Sequence, residues 1–139
     1  MAHPTDTMTK SPRDELLEFL KREGFRPEYD DDHDIWFKYE GGLYYLIFDE
    51  NDSHYLRLLF PNFWRIDEED EHQTALVTAN AVSRDIKVAK VTVNPKGDDV
   101  SAAVELFMPV AMDFELVFYR SVRVIQDAVR LFAERMRAK

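Results

Sequence analysis

The chain has no cysteine among its 139 residues. That excludes a disulfide framework, thiolate zinc sites and a cysteine nucleophile, and it suits a reducing compartment. Glycine is scarce, at four residues, and the only close pairing is Gly41-Gly42, so no phosphate-cradling glycine loop is present. No run approaches the roughly 18–20 apolar residues of a membrane span. Residues 1–11 are polar and lack the apolar stretch of a signal peptide. The expectation is a soluble, cytoplasmic protein. A basic excess is missing too, since the formal charge is −9. Phosphate neutralisation drives nucleic-acid affinity, so nucleic acid is not an expected partner. The acidity is uneven: residues 1–72 hold 8 Lys+Arg against 19 Asp+Glu, and residues 73–139 hold 10 against 8. Such a surface keeps a protein soluble, or alternatively offers a field to a basic partner.

Chemistry-bearing motifs are also lacking. Asp30-Asp31-Asp32-His33-Asp34 invites a metal reading, but an EF-hand counted from Asp30 needs Gly at the sixth position and Glu at the twelfth, where the chain has Ile35 and Gly41. His3, His33, His54 and His72 share no metal-ligand spacing. No Gly-x-Ser-x-Gly elbow accompanies the serines, and nothing selects a carboxylate pair from the 27 acids. No metal, cofactor or enzymatic activity is expected.

What is present is one long periodic helix. Phe114, Val117, Phe118, Ser121, Ile125, Ala128, Phe132 and Met136 recur at three- and four-residue steps, predicting a helix over 113–139 with Asp113 as N-cap and a Met112–Val117 staple. Arg120, Arg123, Asp127 and Arg130 form its outer stripe, either solvated or a basic docking surface. Upstream, residues 1–10 read as a flexible terminus, and 11–139 as a single domain. Ser11-Pro12-Arg13-Asp14 opens a first helix whose apolar residues are Leu16, Leu17, Phe19 and Leu20, with Gly24 beyond its end. After an acidic loop over 28–34, strands are predicted at 35–39, 43–49 and 55–60, with a hairpin turn at Gly41-Gly42 and a stop at Pro61. The second strand is apolar on both faces, as a central strand is. A helix over 67–83 follows, with Leu76, Ala79 and Ser83 inward, then strands at 86–93 and 100–107. The predicted class is α+β in the order α-β-β-β-α-β-β-α: a five-stranded antiparallel sheet with helices mainly on one face.

Two sites follow from that arrangement. Trp36 alternates with Ile35 and Phe37, so Trp36, Tyr44, Leu46 and Phe48 are assigned to the sheet face without helices. Phe63 and Trp64 sit in the expected strand-to-helix connection, and either pack over the core edge or anchor a partner. A different possibility is a small-molecule binder, with Tyr45, Phe48, Phe107 and Phe118 lining an aromatic cavity between sheet and C-terminal helix.

The element order, together with residues 76–108, resembles the YbjN family of bacterial proteins and, more distantly, type III secretion chaperones. The local signature is Ala79-Asn80-Ala81-Val82-Ser83, then a strand with Lys90, a turn and an apolar strand. YbjN-like chains often carry a second Asn where this one has Ser83. The resemblance implies a non-enzymatic role, regulatory or partner-holding, frequently as a dimer. Its expected form here is a protein-interaction module binding apolar segments of a partner that may be basic, with Asn80 as the family-motif position.

Overall fold

The computed structural model describes residues 10–138. Residues 1–9 and 139 lie outside the described part, as does most of the expected flexible terminus; Lys10 is described, its ammonium 2.6 Å from the Glu18 carboxylate. Among the described residues three helices, α1 (Pro12–Arg22), α2 (Glu69–Asp85) and α3 (Ala111–Arg137), accompany six strands. These are β1 (Glu28–Tyr29), β2 (Ile35–Tyr39), β3 (Gly42–Asp49), β4 (Asp52–Arg65), β5 (Ala89–Val93) and β6 (Asp99–Phe107). They form one antiparallel sheet ordered β1-β2-β3-β4-β6-β5. The class is α+β, with one strand more than the sequence suggests. The extra strand is the two-residue β1, inside the stretch read as an acidic loop. It is too short to show a periodicity, and a short edge strand resists further pairing.

α1 starts as its residues dictate. The Ser11 hydroxyl accepts from the Asp14 amide at 3.1 Å, and Pro12 takes the first turn, where no amide hydrogen is needed. Leu16, Phe19 and Leu20 are buried. α3 begins two residues earlier than expected. Asp113 is therefore not the N-cap; its carboxylate instead accepts from the Val110 amide at 3.3 Å. Met112 is exposed, so the expected staple is not closed. Val117 turns out half-exposed and Val122 buried in its stead, while the other seven residues of the stripe lie in the core. Phe118 is the hub, with ring centroids of Phe19, Phe25, Phe37 and Phe114 all within 5.8 Å.

β4 runs on through Pro61 to Arg65. Proline ends a regular strand because it has no amide to donate, but here the ladder to β6 shifts between Phe60 and Trp64. Asn62 in that bulge takes φ 53°, and its amide donates to the Ser101 hydroxyl at 3.0 Å.

α2 ends at Asp85, and β5 begins only at Ala89. Between them Val88 stands at φ 72°, a conformation that β-branched residues rarely adopt. Its side chain is 68 % exposed, so it gains little burial in return. Val88→Gly is expected to stabilise the fold by about 1 kcal/mol in urea denaturation, the relief of strain exceeding the entropy glycine adds to the unfolded chain.

Candidate functional site: the helix-free face of the sheet

One face of the sheet carries Ile35, Phe37, Leu46, Leu56, Leu58, Ala102 and Val104 into the common core with all three helices. The opposite face meets no described helix. Its side chains follow from the ladder register: Trp36 pairs with Tyr45, Tyr45 with Leu59, Leu59 with Ala103, and Ala103 with Lys90. Directly opposed residues in an antiparallel ladder share a face at about 4.5–5.5 Å between Cβ atoms. An apolar row therefore crosses four strands and ends on a lysine. Ala103 is only 5 % exposed yet has no place in the helix-side core, because its larger row neighbours cover it. Ile47 pairs with Arg57, and Arg57 with Glu105, making a second row. A cleft of about 430 Å³ lies beside Trp36, lined by Phe25, Arg26, Glu28 and Lys38.

The polar corner of this face is organised by Glu105. Its carboxylate ion-pairs with Lys90 and accepts the Tyr55 hydroxyl. The Lys90 contact, then the Tyr55 one, hold Glu105 below its ordinary value of 4.5, and burial pushes Tyr55 up to about 12. Arg57 makes no ion pair within 4 Å among the described residues, and its Nε is buried without a partner. A carboxylate whose folded value is depressed stabilises the fold above its ordinary value, and that contribution is lost as pH falls through the folded value. Wild type should therefore lose more stability than Glu105→Gln as urea unfolding is followed from pH 5 down to pH 3. Parallel curves would contradict the assignment.

Of the residues named from the sequence, Trp36 lies on the helix-free face as expected. Tyr44, Leu46 and Phe48 do not: Tyr44 and Leu46 are buried in the core, and Phe48 packs against it under the Arg13 guanidinium. The cause is the parity of the hairpin: a two-residue turn pairs even-numbered residues of β2 with odd-numbered residues of β3, so Trp36 shares its face with Tyr45 and not with Tyr44. The turn is Glu40-Gly41, both at positive φ (49° and 80°) as a type I′ turn requires, and Gly42 is already in β3 opposite Tyr39. Gly42 is instead suited to close packing, since a Cβ there would come 2.8 Å from the Phe60 ring. Tyr45, Ile47 and Leu59 are thus the residues that sequence reasoning missed, and the pairing parity of a two-residue turn would have found Tyr45 and Ile47.

Phe63 and Trp64 belong to β4, not to a connection. Both rings meet Phe132 of α3, and the Trp64 indole donates to Glu71 at 3.1 Å, so they close the core edge. Asn80 is exposed, as is Leu76; the inner face of α2 is Ala75, Thr78, Ala79 and Val82. The expected aromatic cavity does not form from its four residues. Tyr45 is on the helix-free face, Phe107 is 76 % exposed, and Phe118 is core. His33 and His54 are exposed; His72 lies against Gly97; His3 is outside the described residues. The Asp30, Asp32 and Asp34 carboxylates approach within 4.8 Å, but Asp30 accepts the amides of Asp32 and Asp34, and Asp34 accepts that of Phe48. They fold the loop. No helix among the described residues is long and apolar enough to cross a membrane.

This arrangement defines a class, an α+β domain whose sheet has one face free of described helices, and the fold is YbjN-like. The crystal structure of YbjN from E. coli, described as a candidate transcription regulator, superimposes with a TM-score of 0.66 at 9% identity, over 84% of this chain and 87% of that one. An uncharacterized protein from Methanothermobacter thermautotrophicus gives 0.59 at 9% identity, over 90% of this chain and 99% of that one. No protein-family model and no curated protein sequence matches the chain.

Proposed function

We propose that this protein is a non-enzymatic, cytoplasmic interaction module of regulatory type, which holds an apolar segment of a partner protein against the helix-free face of its sheet. One observation carries the reading: the row Trp36–Tyr45–Leu59–Ala103, aligned across four strands and covered by no described helix. Trp36, Tyr45 and Leu59 are half-buried with no described helix over them, and tryptophan, tyrosine and arginine are the usual anchors of interfaces. The YbjN-like fold is consistent with a regulator. With a charge of −9, regulation would run through protein contacts rather than through DNA.

The charge on this face refines the expected partner. Lys38, Arg57 and Lys90 project from this face, against Glu105 and, opposite Trp36 at the β1 edge, Glu28. The acidic surplus lies elsewhere, in the Asp30–Asp34 loop and the first turn of α2. The face therefore favours a segment with carboxylates beside its apolar residues, and a basic partner would meet the acidic loop instead.

The test is side-by-side isolation of tagged wild type and Leu59→Glu from the source cells, read by native mass spectrometry. A buried, unpaired carboxylate at a hot spot should weaken capture of a co-isolated polypeptide by about thirtyfold, the equivalent of roughly 2 kcal/mol. Leu59 faces away from the core, so stability should fall by only about 1 kcal/mol. A second copy of the chain would make the face a dimer interface. A folded Leu59→Glu variant that keeps its polypeptide would sink the proposal.

A further inference from the structure

A second apolar surface lies on the other side of the sheet, at the start of β5. The ladder β5–β6 opens with Ala89 opposite Val104, so Glu105, Leu106 and Phe107 extend past it with no partner on that side. Leu106 faces the helices and has Leu56 of β4 on one flank only. The result is a groove of about 360 Å³ between β6, α3 and the strained crossing from α2. Val88, Val104, Leu106, Val117 and Val124 make its apolar lining. Ser121, the one small polar residue of the α3 stripe at this level, leaves space that a larger side chain would fill.

Two cations border the groove, Lys87 and Arg120. Among the described residues neither makes an ion pair within 4 Å, although most other arginines on the helices do. Two positive charges without a described acidic partner therefore stand at the rim of an aliphatic groove. The volume is in the range of about 300–1,000 Å³ typical of small-molecule sites. Backbone strain such as that at Val88 concentrates at ligand clamps.

We propose that this groove binds a single-chain amphiphilic carboxylate of fatty-acid type, its alkyl chain on the valine and leucine lining and its carboxylate met by Lys87 and Arg120. The site differs in place and chemistry from the helix-free face. Its lining is aliphatic, and the ligand's charge is complementary to the rim.

The probes are dodecanoate, kept below its micelle concentration, and uncharged dodecanol, titrated into the full chain and followed by amide NMR. Dodecanoate should shift signals of residues 86–88, 104–106 and 117–124 saturably, and bind at least about tenfold more tightly than dodecanol. Lys87→Glu combined with Arg120→Glu should remove that preference for dodecanoate over dodecanol. Ser121→Leu should weaken both. Because the wild-type preference needs no variant, a misfolded mutant does not shield the idea. Equal affinity for the two probes, shifts confined to the Trp36–Leu59 row, or no saturable shift would overturn it. So would a concentration-dependent dimer that Ser121→Leu abolishes, since a second copy would then fill the groove.

Discussion

Phe118→Ala should cost about 3–5 kcal/mol of stability, a large share of what a domain of this size has. The side chain is fully buried and joins three elements: Phe19 of α1, Phe37 of β2, and Phe114 of its own helix. Phe25, in the link from α1 to β1, closes the cluster with its centroid 5.7 Å away. Truncation removes the ring from every one of these edge-to-face or tilted contacts at once. The cavity cannot collapse without moving a helix and a strand together. Phe107→Ala is the control: the same chemical change at a 76 % exposed site should cost under about 0.5 kcal/mol. Urea unfolding of both variants measures the difference. Similar losses would mean that the aromatic cluster does not organise the core.

Ser83→Ala is expected to be nearly as costly for its size, at about 1–3 kcal/mol. β5 is an edge strand, and its outward amide and carbonyl at Val91 would otherwise have no partner. Ser83 of α2 supplies both. Its hydroxyl accepts the Val91 amide at 2.8 Å and donates to the Val91 carbonyl at 3.3 Å. Val91 is only 4 % exposed, so water replaces neither bond easily. Alanine leaves two polar groups unsatisfied and uncovers an edge that another strand could join. Ser83→Asn offers a donor and an acceptor and should recover most of the loss. If Ser83→Ala is as stable as wild type and Ser83→Asn is not, the edge is held by something else.

The helices were legible because their signals are long and redundant. α3 shows its apolar stripe over more than seven turns, so an error of two residues at Asp113 leaves its buried face unchanged. α1 carries a serine cap and a proline within four residues. Five of the six strands were legible too, and β3 lies between β2 and β4 as its two apolar faces suggest. The faces were not. Strand periodicity has a period of two, so assigning a face across the hairpin depends on whether its loop holds an even or an odd number of residues. Alternation within β3 is also silent, since Tyr44, Tyr45, Leu46, Ile47 and Phe48 are all apolar or aromatic. Pro61 misled for a related reason: a bulge tolerates proline, and bulges leave no pattern before the partner strand is known. The groove at Leu106 was invisible because it exists only where β5 starts late.

The measurement that tests the central claim most directly is hydroxyl-radical footprinting of the protein as isolated from its source cells, compared with the same protein stripped to a bare chain. Trp36, Tyr45 and Leu59 should be protected in the isolated state and oxidised in the bare one, while Phe107 and Leu116 react equally in both. Protection of Phe107 and Leu116 with Trp36 and Tyr45 unchanged would put the interaction surface elsewhere and contradict the account.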